Sequence, residues 1–512
     1  MYVALAIPSL IHADNQKKFD YRRLSRRRLA EAGELQRTRD AAELSLPQQT
    51  GQAQKLWNFF IHDYPVFACI KSFVIYNSPV IFPFCMRVNS ITVHNFRCFE
   101  SLTVKFDSRL TVLVGKNGAG KSTVLDAVTI ALGALSSELA KKTYGISKGD
   151  ARNVCYALGS GIDVQPQYPV LIEADGMIAN EPINWARILR NQSGRTVLYE
   201  SENFKRLATS YSKRTAQGDA SLILPIVSYY GTGRLWAQKK EKPKDTLAKT
   251  SRLNGYLDSL AASANNKLMI QWFRKMTMRD LQKGVTSPEF AAVKRAISRC
   301  VEFLTGSSDV EVFFNLDNLE ISIKYSTSTG EQILSSLNQL SDGYKSTISL
   351  IADIAYRMSM LNPQLAEKVL EDTPGVVLID EVDLHLHPAW QHRILQDLMN
   401  IFPKVQFIVT THAPSVIHST KEGRLVVLGD GLVQSDFLSP YGKDVNSVMS
   451  EIMDVPARPE TIRNLFEDFY HQLDAGDFDI AEKTLNNLTQ ILGEYDPEVT
   501  SCRVSLQLEK LA

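Results

Sequence analysis

Gly115-Lys116-Asn117-Gly118-Ala119-Gly120-Lys121-Ser122 fits the phosphate-loop pattern G-x-x-x-x-G-K-[ST], and it follows the apolar run Leu110–Val114. Gly115, Gly118 and Gly120 let the backbone wrap tightly enough to aim successive N–H groups at the β- and γ-phosphates of a nucleoside triphosphate. Lys121 is expected on the β/γ oxygens and Ser122 on Mg²⁺, with Thr123 the next residue of the loop-to-helix turn. Farther on, Val376-Val377-Leu378-Ile379 runs into Asp380-Glu381. A buried parallel strand ending there places Asp380 where it holds Mg²⁺, and Glu381 where it polarises an attacking water. Ile408-Val409-Thr410-Thr411 leads to His412, expected at the γ-phosphate as a polar switch.

Ser341-Asp342-Gly343 precedes the helical pattern Thr347–Leu361. A serine hydroxyl, the Gly343 N–H and a helix dipole suit a γ-phosphate. Within one chain that phosphate is already held by Gly115–Ser122, so the ordering predicts two copies, each completing the other's site. Two histidines, His385 and His387, lack a third ligand at a zinc-like spacing and predict no metal.

The elements that must position these groups alternate strand and helix from Leu340 to Val427, as an α/β core does. Arg87–Phe99 and Ser101–Phe106 read as two strands, and Thr123–Leu135 as an amphipathic helix. Lys141–Gly218 mixes short strands with polar loops, and Leu222–Tyr230 is rich in β formers before Gly231-Thr232-Gly233-Arg234. Ser251–Leu304 is helical, with Ser287 capping a helix that opens on Pro288. Val310–Phe314 and Leu319–Tyr325 form a hairpin. No heptad array exists for a long coiled-coil arm.

The tail from Ala457 carries two apolar stripes, through Phe466, Phe469 and Leu473 and through Ala481, Leu485 and Leu488, and a third helix from Pro497. It either packs on the core or offers a docking face. The expected divisions are an extension over 1–85, an N-terminal lobe over 86–250, a helical insertion over 251–308, a C-terminal lobe over 309–440 and a helical tail over 441–512.

Lys+Arg 57 against Asp+Glu 56 leaves a formal charge of +1, so bulk charge selects neither nucleic acid nor membrane. Residues 1–85 are the basic part and differ in style from the rest. They read as an upstream extension before a natural start at Met86, or else as a basic arm around Arg22–Arg28. Tyr64–Cys85 contains Lys71 and three prolines, which argues against a membrane span. Six cysteines without C-x-x-C spacing predict reduced thiols in a cytoplasmic protein.

From Ser90 through His412 the sequence resembles the ABC-type ATPases of the RecF, SMC and OLD group. The resemblance rests on His94-Asn95-Phe96-Arg97-Cys98-Phe99-Glu100, Glu381–Pro388 and Thr410-Thr411-His412-Ala413-Pro414. It implies an α/β ATPase head, a mixed sheet with flanking helices, with ATP and Mg²⁺ as cofactors. OLD nucleases continue into a Toprim domain with clustered carboxylates, which this helical tail does not resemble. The tail, with Tyr441–Ser447 and Leu492–Pro497, is similar to the PtuA-type ATPases of Septu and retron-linked anti-phage systems. That resemblance implies a homodimer or higher oligomer, a partner HNH nuclease, and a possible reverse transcriptase or retron nucleic acid. Gln165 and Gln167 are positional candidates for a Mg²⁺-sensing glutamine. Two other functions compete: a RecF-like repair ATPase acting directly on DNA, and a nucleotide-sensing scaffold with negligible turnover.

Overall fold

A computed structural model of the chain describes residues 86–512, apart from 141–143, 159–160, 200, 235–250, 262–265, 328, 430, 438–439 and 512. The expectation for residues 1–85 lies outside the described residues.

Alternating burial marks the first strand, β1 (Met86–Phe96), which turns back into β2 (Phe99–Lys105). The continuous apolar run β3 (Leu110–Gly115) is buried throughout and leads through the glycine loop into helix α1 (Lys121–Ala140). A hairpin follows, β4 (Asn153–Leu158) and β5 (Gly161–Pro166), then β6 (Val170–Ile178), β7 (Glu181–Leu189) and β8 (Val197–Tyr199). Helix α2 (Glu202–Ala216) precedes β9 (Ile226–Tyr230). Next come α3 (Asn266–Lys283), α4 (Pro288–Thr305), and a three-stranded sheet of β10 (Glu311–Asn315), β11 (Glu320–Ser326) and β12 (Gln332–Ser336). Helix α5 (Asp342–Leu361) returns the chain to β13 (Gly375–Ile379). Then α6 (Ile394–Ile401), β14 (Val405–Thr410), α7 (Pro414–Ser419), β15 (Arg424–Gly429) and β16 (Leu432–Phe437) complete the head. Three helices close the chain: α8 (Glu460–Asp474), α9 (Phe478–Leu492) and α10 (Pro497–Leu511).

The main sheet has the order β16-β15-β3-β14-β13-β9 and is parallel except for β16. Its inner strands are buried on both faces, which explains why they read as unbroken apolar runs. The expected N- and C-terminal lobes interleave here, because β3 and β9 pair with β13, β14 and β15. A second, antiparallel sheet has the order β2-β1-β6-β7-β8. Gln406 joins the two: its amide oxygen accepts from Val88 N–H at 2.8 Å, and its amide nitrogen donates to the carbonyls of Val88 and Asp107 at 2.7 Å each.

Four readings need correction. Helix α1 is not amphipathic: Val124, Leu125, Ala127, Val128, Ala131, Leu132 and Leu135 are all buried, because sheet strands and helices pack around it. Trp185 Nε1 even donates to the Ala131 carbonyl at 3.0 Å. Helix α2 lies in a stretch read as strands and loops, and the spacing of its buried Phe204, Ala208 and Tyr211 was the overlooked signal. The helices over 251–308 are part of the head: Trp272 meets Tyr356 of α5 edge-on, and Phe290 meets both Trp272 and Phe273 in the same way. Finally, the tail does not join the main core. Phe466, Phe469, Leu473, Ala481, Leu485, Leu488, Val499, Cys502 and Leu506 form a separate one. Asp496 caps α10, accepting from the Glu498 and Val499 N–H groups.

Candidate functional site

The C-terminal ends of β3, β14 and β13 lie side by side, so the loops leaving them converge on one cleft of about 310 Å³. Open parallel sheets place their ligands at this edge. Asn117, Gly118, Gly120, Lys121, Ser122, Thr123, Asp380, Glu381, Thr410 and His412 line it, with Arg97 and Cys98. Lys121 Nζ donates to the carbonyls of Gly115 and Lys116 at 2.9 and 3.0 Å, which centres the ammonium in its own loop. Gly118 and Gly120 have φ of 84° and 92°, in the region that favours glycine. A Cβ on Gly120 would also fall 2.2 Å from the Phe99 ring. Ala119 is buried beneath the loop.

Strand β14 sits between β3 and β13, so the carboxylate strand reaches the phosphate loop across it. Thr410 makes that junction. Its hydroxyl donates to Asp380 Oδ1 at 2.6 Å and accepts the Glu381 N–H at 2.7 Å. Ser122 Oγ donates to the same Asp380 oxygen at 3.1 Å. Glu381 has φ of 48°, left-handed for a non-glycine residue. Such strain persists where neighbouring bonds enforce it, and here Thr410 and the Val382 N–H bond to the Thr410 carbonyl do so. Hard oxygens at Ser122 and Asp380 are the donor type that Mg²⁺ takes, so the residues fit that ion.

Burial lowers the pKa of Lys121 against the opposing pull of Asp380 and Glu381. Burial, then the charge of Lys121, lowers that of His412, against Asp383, Glu381 and Asp380. The imidazole is therefore neutral at pH 7 and can donate one hydrogen bond without adding charge.

Ser341 is the exposed N-cap residue of the 20-residue α5 and is not among the residues lining the cleft. Gly343, two residues on, is buried. A Cβ there would meet the His385 carbonyl at 2.5 Å, so the glycine admits the segment after the carboxylates against α5. Tyr344 and Trp390 close the same junction, with ring centroids 4.7 Å apart. His387 Nδ1 accepts from the Ala389 N–H as a helix cap. Gln165 and Gln167 are outside the cleft, Gln165 bonding Asp163 and Gln167 the Gln165 carbonyl.

Three cleft residues escaped the sequence reading. Arg97 and Cys98 were visible in the run His94–Glu100, but only as a mark of the first strand. Arg97 bonds Asp150 at 2.8 Å and pairs with Asp126 of α1. Thr410 had one signal, a hydroxyl in a strand otherwise apolar toward its tip.

Residues 90–302 match the family model described as an AAA domain. Residues 243–418 match another, described as AAA domain, putative AbiEii toxin, Type IV TA system. The retron Ec83 probable ATPase of Escherichia coli is 27% identical over 439 residues, covering 73% of this chain and 77% of that protein. The Septu protein PtuA of Bacillus mycoides is 25% identical over 429 residues, 81% of this chain and 52% of that protein. Over these spans the chain is similar to AAA-domain ATPases. Among such ATPases it is similar to PtuA, of which it spans about half the length in the Bacillus mycoides protein. The SMC head domain from Thermotoga maritima overlays this ATPase at TM-score 0.39 and 18% identity, covering 69% of this chain and 99% of that one. So loose a likeness carries no argument.

Proposed function

We propose that this ATPase hydrolyses Mg²⁺-ATP between two copies of itself, and that its nucleotide state regulates a separate HNH nuclease in bacterial anti-phage defence. The observation that carries the hydrolytic half is the junction at Thr410, where one buried hydroxyl bonds the metal-type carboxylate of Asp380 and the backbone N–H of Glu381, the base-type residue, beside the phosphate loop. The loop N–H groups and Lys121 would hold the phosphates, and Ser122 and Asp380 would hold Mg²⁺, which would supply positive charge against the charge that develops in the transition state. Glu381 accepts a proton from the attacking water as its oxygen bonds to the γ-phosphorus. The bond to the bridging oxygen breaks, and ADP leaves with that electron pair. His412, neutral, donates to a γ-phosphate oxygen.

Support for the two-copy half comes from Ser341, exposed on a long helix yet away from its own chain's cleft. Support for the defence half comes from the likeness to a Septu PtuA and a retron ATPase. Glu381→Gln should keep ATP binding, slow turnover by roughly 10²–10⁴, and accumulate an ATP-dependent dimer on gel filtration. Ser341→Arg should stop turnover while binding by the single chain persists. Full turnover in Glu381→Gln, or equal loss of binding and turnover in Ser341→Arg, would overturn the assignment. Co-purification from the native gene neighbourhood tests the nuclease: its absence from the recovered complex would sink that half.

A further inference from the structure

Strand β9 ends in two consecutive tyrosines, and successive side chains of a strand point to opposite faces. Tyr229 is beside Asp126 of α1, the partner of Arg97 in the nucleotide cleft. Tyr230 turns the other way. Its hydroxyl donates to Asp353 Oδ2 of α5 at 2.8 Å, and the same oxygen takes Arg357 Nε at 2.6 Å. Arg357 is anchored in turn on the carbonyls of Gly255 and Leu257, at 2.9 and 2.8 Å. Between the two side chains, the Tyr230 carbonyl accepts the Asp380 N–H at 2.8 Å.

Asp353 and Arg357 are 5% and 3% exposed, in a helix whose neighbouring side chains are mostly apolar. Burying such a pair costs desolvation that well-packed apolar residues avoid, so stability alone does not account for it. We infer that Tyr230 and Asp353 are positioning residues, a rigid tie that holds the carboxylate strand in register with α5, so that occupancy at Ser341 is felt at Asp380. Asp353 lies twelve residues beyond Ser341, about 18 Å along one continuous helix, and a helix of that length moves as a rod. The tie meets the site at the backbone N–H of Asp380, the residue that carries the metal-type carboxylate and directly precedes the strained Glu381.

The inference rests on the hydrolytic reading above, so wild type and Glu381→Gln are measured alongside. Tyr230→Phe removes only the hydroxyl. It is expected to lower kcat about tenfold, the rate equivalent of one lost hydrogen bond, with ATP affinity unchanged to within about twofold. Tyr256→Phe is the control, since it removes a buried hydroxyl bonded to the Pro225 carbonyl at 2.7 Å and leaves in place the Gly255 and Leu257 carbonyls that hold Arg357. It should lower the thermal midpoint and leave kcat alone. The double change Asp353→Leu with Arg357→Met replaces the ion pair by apolar residues of similar volume. The apolar pair offsets part of the cost of leaving the Tyr230 hydroxyl and the Gly255 and Leu257 carbonyls without these partners, so the thermal midpoint should fall and kcat is read per folded molecule. On that basis it should repeat the tenfold loss, and it reads the tie independently of Tyr230→Phe. Wild-type kcat in either variant, or a loss in Tyr256→Phe equal to that in Tyr230→Phe, would overturn the tie alone. A wild type without turnover would overturn both readings.

Discussion

Thr410→Val removes one hydroxyl at nearly constant volume from a fully buried position. Two hydrogen bonds go with it. The bond to Asp380 is charge-assisted and worth about 1.5–3 kcal/mol, and the Glu381 N–H is left without its acceptor, at about 1–3 kcal/mol. The two share one oxygen, so their loss is not additive, and we expect about 3 kcal/mol in total. Part of that appears as lost stability in urea unfolding of the nucleotide-free protein. The rest appears in turnover, because Glu381 is held in a left-handed conformation by the bond that disappears. Relaxation of φ from 48° swings the carboxylate away from any fixed water position, and a misplacement of about 1 Å costs roughly 10²-fold. Phosphate release at saturating Mg²⁺-ATP is the assay. Thr410→Ser keeps the hydroxyl and gives up a methyl, so it should lose stability by about 1 kcal/mol but retain kcat to within about threefold. The reasoning fails if Thr410→Val turns over like wild type, or if the serine variant is as slow as the valine.

Gln406→Leu should cost about 3–5 kcal/mol in urea unfolding, since Val88 N–H and the carbonyls of Val88 and Asp107 lose their partner together. Turnover per folded molecule should hold, because Gln406 is at the far end of β14 from the cleft; an unchanged unfolding midpoint would show the two sheets need no such join. His412 should titrate below 6.5 in a histidine-labelled NMR experiment, since burial and then Lys121 lower its pKa. The sign follows: the folded state binds its proton less well than the unfolded chain does. The stability linked to His412 is therefore full above about pH 6.5 and lost as pH falls through the folded pKa. A midpoint at or above 6.5 without nucleotide would remove Lys121 from its neighbourhood.

The phosphate loop was legible in sequence because its chemistry is contiguous: every residue that shapes the turn lies between Gly115 and Thr123. The buried strands were legible for a related reason, since a parallel strand covered on both faces has no polar face to preserve. Strand order was not. Nothing along the chain says that β14 inserts between β3 and β13, so the role of Thr410, a cross-strand one, could not be seen from Ile408–His412. Helix α1 reads as amphipathic, but Thr129 and Ser136 are small enough to be buried with its apolar residues once strands and helices pack around it. Gln165 was proposed by position along the sequence, but it lies on β5 outside the cleft, on the same face as Asp163 two residues before it, which it bonds. The apolar stripes of the tail were right, yet a stripe names no partner, and these three pair with one another.

Where this head buries polarity is also where it must not slip. Gln406 ties the antiparallel sheet to β14, Thr410 ties β14 to the carboxylates, and Asp353 ties α5 to β9. Each spans two elements distant in sequence, and directional bonds there fix a register that apolar contacts tolerate shifting. The link between the phosphate loop and the segment entering the tail is of another kind. Lys116 and Asp454 meet at 2.6 Å, but their side chains are 66% and 84% exposed. Exposed pairs contribute little and are screened by salt, so this one does not bind the three-helix core to the head as the buried ties bind the head to itself.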